Sequence, residues 1–158
     1  GPLRENLKNL KKYKHVFLIG AMENLENIKR IILEINSEIN IYVCKYKILN
    51  LDKFNLNEKY IVFSGIGNHK TFISTLIKNK FNIMKDIEFP DHYYYTKKDI
   101  DEIMLISNQK NCKIITTEKD YNRLDKDYVD KIKFIKSDLE IVDQNSLLET
   151  LSKVYEQN

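Results

Sequence analysis

Five consecutive positions, Asp91-His92-Tyr93-Tyr94-Tyr95, place a carboxylate, an imidazole and three phenols between Phe89-Pro90 and Thr96. An imidazole beside a carboxylate can orient a ligand, share a proton or tune a neighbouring acid. The other reading is that His92 caps the following helix or packs under Tyr95. The three tyrosines either stack on a base or a sugar, or pack half-buried at the turn. Two further polar turns are their expected partners, Ser64-Gly65-Ile66-Gly67-Asn68 and Thr116-Thr117-Glu118-Lys119-Asp120. The first can point backbone N–H groups at an anion, or is a tight turn that needs glycine at positive φ. It lacks the Gly-Lys-Ser/Thr ending of a Walker-type loop. Asn68 suits the N-cap of the helix that follows. Lys119 stands in the first turn of a helix, where a cation opposes the dipole; that favours a hold on an anionic ligand or a carboxylate over a solvated lysine. His15 and His69 have no partner nearby in the sequence and are expected at the surface.

Each of the three turns follows a strand pattern and opens a helix pattern. Val16 to Ile19 is a short apolar run, followed by period-3.6 spacing from Met22 to Glu38 on Leu25, Ile28, Ile32 and Ile35. Ile39 to Lys47 alternates loosely as a second strand, and 48–58 reads as a loop. Tyr60 to Phe63 is a third strand, leading to a helix on Phe72, Ile73, Leu76 and Ile77. Phe81 to Phe89 is a fourth. Thr96 with Asp99 predicts a capping box for a helix on Ile100, Ile103, Met104 and Ser107. Lys113 to Thr116 is a fifth strand; Thr117 caps a short helix through Asp120, with Leu124 as its apolar contact. Lys131 to Lys136 is the last strand, and Ser146 with Glu149 predicts a final helix. About six strands alternating with about five helices specify a three-layer αβα fold around a mostly parallel open sheet. Turns after parallel strands lie along one edge, where such proteins bind ligands.

The composition excludes several classes. The 26 basic and 23 acidic residues leave a charge of +3, too balanced to argue for nucleic acid, and the lysines, mixed with acids, read as solvated faces. Cys44 and Cys112 sit far apart in apolar runs and are expected as buried free thiols in a reducing compartment; no spacing suits a metal. No apolar run reaches the length of a membrane span, and no signal-peptide pattern is expected. Leu3, Leu7 and Leu10 suggest a short amphipathic helix. Gly1-Pro2 is either a scar or native.

In order and spacing, Ser64 to Asn68, Phe72, Phe89-Pro90-Asp91-His92, Tyr95, Asp99 and Thr116 to Asp120 resemble tetraacyldisaccharide 4'-kinase. The opening Gly1-Pro2-Leu3-Arg4-Glu5 resembles the segment joining that family's two halves, which favours a native start. The resemblance covers essentially the whole chain. It implies transfer of the ATP γ-phosphate, with Mg²⁺, to the 4'-hydroxyl of a tetraacyldisaccharide 1-phosphate, a lipid A precursor. In the family the Walker-type loop, the catalytic Asp and the metal-binding acids lie in the amino-terminal half, so this chain resembles the carboxyl-terminal half alone and is expected to be inactive without its companion. Residues 1–13 would be the linker from that half and 14–158 the α/β domain. The resemblance assigns His92 to the active site, paired across a cleft with the catalytic Asp. Asp91 is grouped with it, and Arg4 would hold a phosphate, with Lys119 and Asn68 beside it. No metal ligand is expected here. Tyr93-Tyr94 stands where many relatives have a second His, which leaves His92 untouched but changes its neighbour. The implied location is the bacterial cytoplasm, peripheral on the inner face of the inner membrane. The alternative is a non-catalytic α/β binding module that kept the fold without the reaction.

Overall fold

The computed structural model describes residues 7–19 and 25–142. The chain divides into two compact units, one of residues 47–138 and one of residues 1–46 with 139–158.

The unit of residues 47–138 is built on four parallel strands: β3 (Lys59–Ser64), β4 (Asn82–Glu88), β5 (Lys113–Thr117) and β6 (Ile132–Ile135), in the order β4-β3-β5-β6. A strand buried on both faces needs a continuous apolar run, and β3 supplies one, buried from Tyr60 to Ser64. Alternate residues of β3 point to opposite faces. Tyr60 and Val62 pack with Phe72 and Leu76 of helix α2 (His69–Lys78), while Ile61 and Phe63 pack with Ile100 and Ile103 of helix α3 (Lys97–Lys110). Each such fully buried side chain contributes about 1.5–3 kcal/mol. Helices on both faces of this sheet give the three layers.

Local signals set the helix ends. Thr96 and Asp99 form the expected capping box of α3, and Asn111 ends that helix at φ 50°, the left-handed cap that Asn tolerates. Helix α4 (Glu118–Tyr121) is one turn long, with Thr117 as its N-cap. Strand β4 carries a bulge: Tyr60 pairs with Ile83 and Ile61 with Lys85, so Met84 is the extra residue. Because side chains alternate, that one residue moves Asp86 to the face of its partner Val62, the α2 face.

In the other unit β1 (His15–Ile19) pairs in parallel with β2 (Asn40–Ile48), and β7 (Ser137–Ile141) flanks β2 on its far side. Helix α1 (Leu25–Ile35) buries Ile32. Leu7–Lys12 is a 3-10 turn held by the Asn36 side-chain amide, which donates to the carbonyls of Leu10 and Tyr13 at 3.2 and 3.1 Å. The α/β class is as expected. The strands, however, divide between two sheets, and β7 was not foreseen: its sequence SDLEI puts three polar residues in five positions, too few apolar ones to register as a strand. Among the described residues there are four α-helices; the helix expected at Ser146 lies outside them. Both cysteines are buried and free.

Candidate functional site

The strands run parallel, so the turns after β3, β4 and β5 emerge along one edge, and hydrogen bonds tie them together. Phe89 N–H donates to the Ser64 carbonyl at 2.8 Å and His92 N–H to the Gly65 carbonyl at 3.0 Å. Gly65 N–H donates to Asp120 Oδ1 at 3.1 Å. The Thr116 hydroxyl donates to the Phe63 carbonyl at 2.8 Å. Gly65 is required by closeness and not by backbone angle. A Cβ there would lie 3.0 Å from the Pro90 carbonyl oxygen, 3.0 Å from Tyr95 Oη and 3.3 Å from Asp120 Oδ1, and its φ is outside the left-handed region.

Asp120 is the buried centre of the rim. Besides Gly65, its carboxylate accepts from Tyr95 Oη at 2.9 Å and Thr117 Oγ1 at 2.6 Å. Its own N–H donates to Thr117 Oγ1 at 3.1 Å, which caps α4. A buried carboxylate is tolerable only when donors and a countercharge surround it. The countercharge is Arg123, whose Nη1 lies 3.6 Å from Asp120 Oδ1. Burial, and then the adjacent Asp120 charge and the bond donated to it, push the Tyr95 phenol far above the usual tyrosine range. The Tyr95 ring is wedged edge-on between Phe63 and Phe89, at centroid distances of 5.2 and 5.1 Å.

His92 sits at φ 58° in a turn closed by the bond from Tyr93 N–H to the Pro90 carbonyl at 3.1 Å. The left-handed region costs a non-glycine residue about 1–2 kcal/mol, which the bond to Gly65 and the docked turn offset. The side chain is 81% exposed. Nδ1 lies 3.0 Å from Arg123 Nη2. A guanidinium can only donate, so Nδ1 accepts, the ring is neutral and its proton is on Nε2. Nε2 is 3.8 Å from Asp91 Oδ2, beyond hydrogen-bond reach. His92 therefore neither caps α3, which Thr96 does, nor packs beneath Tyr95. Tyr93 donates to Asp99 Oδ2 at 3.0 Å and Tyr94 is almost fully exposed.

Of the other expected site residues, Asp91 borders His92 and is half-exposed. Asn68 occupies the N-cap of α2, half-buried, without a capping hydrogen bond from its side chain. Lys119 is exposed on α4 beside buried Asp120. Arg4 lies outside the described residues. His15 is exposed as expected, with Nδ1 3.3 Å from Tyr42 Oη. The expectation for His69 is corrected: it is 2% exposed. As the first residue of α2 it turns over the sheet, where Ser64 Oγ meets its Nδ1 at 2.5 Å and Asp86 Oδ2, brought over by the bulge, meets its Nε2 at 2.9 Å. Ser, His and Asp in a row suggest a hydrolase triad, but Ser64 is wholly buried and no substrate could reach its oxygen. Sequence reasoning missed Arg123 altogether. The available signal was its place three residues after Asp120, the spacing that stacks two side chains on one helical face.

Residues 1–156 match the family model described as Tetraacyldisaccharide-1-P 4'-kinase, LpxK. A tetraacyldisaccharide 4'-kinase of Pelagibacter ubique is 51% identical over 158 residues, covering all of this chain and 50% of the relative. The one from Rickettsia bellii is 34% identical over 154 residues, covering 97% of this chain and 46% of the relative. The chain thus spans about half the length of these relatives. In structure it is similar to LpxK from Aquifex aeolicus, an "apo" form in complex with ATP, with TM-score 0.51 and 19% identity over 96% of this chain and 46% of the other; at that identity the likeness speaks for the fold.

Proposed function

The chain belongs to the tetraacyldisaccharide-1-P 4'-kinase family, and on that premise we propose that it is the carboxyl-terminal half of such a kinase. The reaction is transfer of the ATP γ-phosphoryl group to the 4'-hydroxyl of a tetraacyldisaccharide 1-phosphate in lipid A synthesis. The observation that carries the reading is the rim itself: three loops converge on a buried Asp120 and leave the His92 imidazole exposed, with its Nε2 3.8 Å from Asp91 Oδ2 and so beyond hydrogen-bond reach of that carboxylate.

The described residues offer neither an acidic cluster for the metal nor an unengaged Gly65 amide for a phosphate. The Gly65 amide, which a phosphate would want, is already given to Asp120. Among the described residues no group of three or more His, Cys, Asp or Glu side chains could hold a cation. The family resemblance assigns the main ligands of ATP and Mg²⁺ to the amino-terminal half, where ATP would supply the transferred group and Mg²⁺ would balance its charge. This chain supplies orientation. His92 Nε2–H donates to the carboxylate base of the companion half and holds it toward the sugar hydroxyl, whose proton passes to that base. Asp91 borders the imidazole. Arg4, and secondarily Lys119 and Asn68, contact anionic groups of the substrate or nucleotide.

Residues 1–13 are read as the linker from the companion half and 14–158 as the α/β domain. The enzyme is placed in the bacterial cytoplasm, peripheral on the inner face of the inner membrane; among the described residues no helix is long and apolar enough to cross a membrane. Sedimentation of the whole enzyme with anionic lipid vesicles tests the location, and recovery wholly in the supernatant would count against it.

The chain alone should not turn over ATP. Supplying the amino-terminal half should restore phosphoryl transfer to the lipid disaccharide, measured with γ-labelled ATP. In that system His92→Ala should lower kcat by about 100-fold, the low end for a proton-handling side chain. Undiminished activity would remove His92 from the reaction. The second reading is a non-catalytic binding module, in which the Gly65 amide is given to Asp120 and not to a phosphate; it predicts no activity with the companion present.

A further inference from the structure

The least explained group on the rim is Arg123. Among the described residues its buried Nη1 has no hydrogen-bond partner, although it faces the Asp120 carboxylate at 3.6 Å. The side chain as a whole is 25% exposed. A guanidinium is a rigid planar fork, so fixing one prong fixes the other. Here the inner prong is held by charge on Asp120, which the Gly65 amide, the Tyr95 phenol and the Thr117 hydroxyl hold in turn. The backbone reinforces the arrangement, since Arg123 N–H donates to the Asp120 carbonyl at 3.0 Å. The outer prong, Nη2, is thereby delivered to His92 Nδ1 at 3.0 Å. Asp91 Oδ2 lies 3.8 Å from the other ring nitrogen, and Asp120 stands behind the guanidinium.

We propose that Arg123 is a positioning residue, which locks the imidazole of His92 in its Nε2–H form and aims that N–H out of the rim. A neutral imidazole free in solution exchanges its proton between both nitrogens and turns about its side-chain bonds. With Nδ1 engaged by an obligate donor, one tautomer and one ring orientation remain. A lysine ammonium is a point charge and cannot serve Asp120 and His92 with the same fixed geometry. The geometric claim stands on this chain alone. Its consequence for phosphoryl transfer rests on the function proposed above, because only there does the Nε2–H have an acceptor to orient.

The test uses the whole enzyme labelled with ¹⁵N-histidine, His92 being assigned by loss of its signals in His92→Gln. Two-bond proton–nitrogen correlation at alkaline pH reads the tautomer. Wild type should show Nε2 as the protonated nitrogen and Nδ1 as the bare acceptor. Arg123→Met, which keeps the apolar stem and removes the donors, should give an average of both tautomers. Its kcat should fall about 10- to 100-fold, the scale of a misaligned catalytic group, with KM for ATP within about twofold. Arg123→Lys should recover only part of each and carries the test if the Met variant does not fold. Unchanged nitrogen signals in both variants, or a kcat within about threefold of wild type in both, overturns the proposal. If wild type itself transfers no phosphate, the kinase reading fails, and the nitrogen signals still decide the role of Arg123.

Discussion

A single methyl group at position 65 should pry the rim apart. In Gly65→Ala the new carbon would sit 3.0 Å from the Pro90 carbonyl oxygen and 3.0 Å from Tyr95 Oη, where ordinary contact begins at 3.4 Å. Each neighbour must retreat by about 0.4 Å, and neither is free to do so. The Pro90 carbonyl closes the His92 turn by accepting from Tyr93 N–H. The Tyr95 ring is held by Phe63 and Phe89 and by its bond to Asp120. Overpacking of this kind costs about 1–3 kcal/mol. Stretching the bonds that Gly65 N–H and Tyr95 Oη give to Asp120 adds up to about 1 kcal/mol each. Loss of glycine's freedom in the unfolded chain returns about 0.4–1 kcal/mol. The net expectation is a destabilisation of about 2–3 kcal/mol, seen as a lower urea midpoint at unchanged m-value. Tyr94→Ala, at a nearly fully exposed side chain, is the control and should stay within about 0.5 kcal/mol. A Gly65→Ala protein as stable as that control would show that the three loops are not held at the spacing described.

The capping box of α3 should leave a signature in acid. The Asp99 carboxyl is held below its ordinary range chiefly by the Thr96 hydroxyl, then by the Thr96 backbone N–H and the Tyr93 hydroxyl. Because its folded pKa is depressed, its contribution is complete above the unfolded value of about 3.9 and is lost as pH falls through the folded value. Asp99→Asn should thus cost about 1 kcal/mol near neutral pH, and the difference from wild type should shrink below about pH 4; a gap that persists to about pH 2 would refute the charged capping bond. The buried pair of Ser64 and His69 should couple. In a cycle of Ser64→Ala, His69→Ala and the double variant, each single change strands a buried polar atom at about 1–3 kcal/mol. A coupling of at least about 0.5 kcal/mol is expected from denaturation midpoints, and strict additivity would mean that the 2.5 Å contact carries no energy.

What could be read from the chain was what adjacent residues decide among themselves. The apolar run of β3, the Thr96–Asp99 box and the Thr117–Asp120 cap all act within a few positions, and each stands where its spacing placed it. The convergence of the three turns followed from parallel strands alone. The inward turn of His69 did not, because it depends on a partner 17 residues away that a single bulged residue redirects. The Arg123–His92 contact spans 31 positions and exists only when two loops dock. Strand β7 carries Asp138 and Glu140 within five residues, so pairing made it a strand where side-chain pattern did not.

The contacts that hold the rim join residues 25, 27, 31, 53 and 55 positions apart in the chain. Nothing within one β–α unit can form any of them, and each requires chain closure before it returns any free energy. The edge on which the three turns meet is therefore a late product of folding, absent from every intermediate that lacks even one of them. It should also be among the first regions to lose amide protection when the native state breathes, ahead of the β3 and β5 amides beneath it.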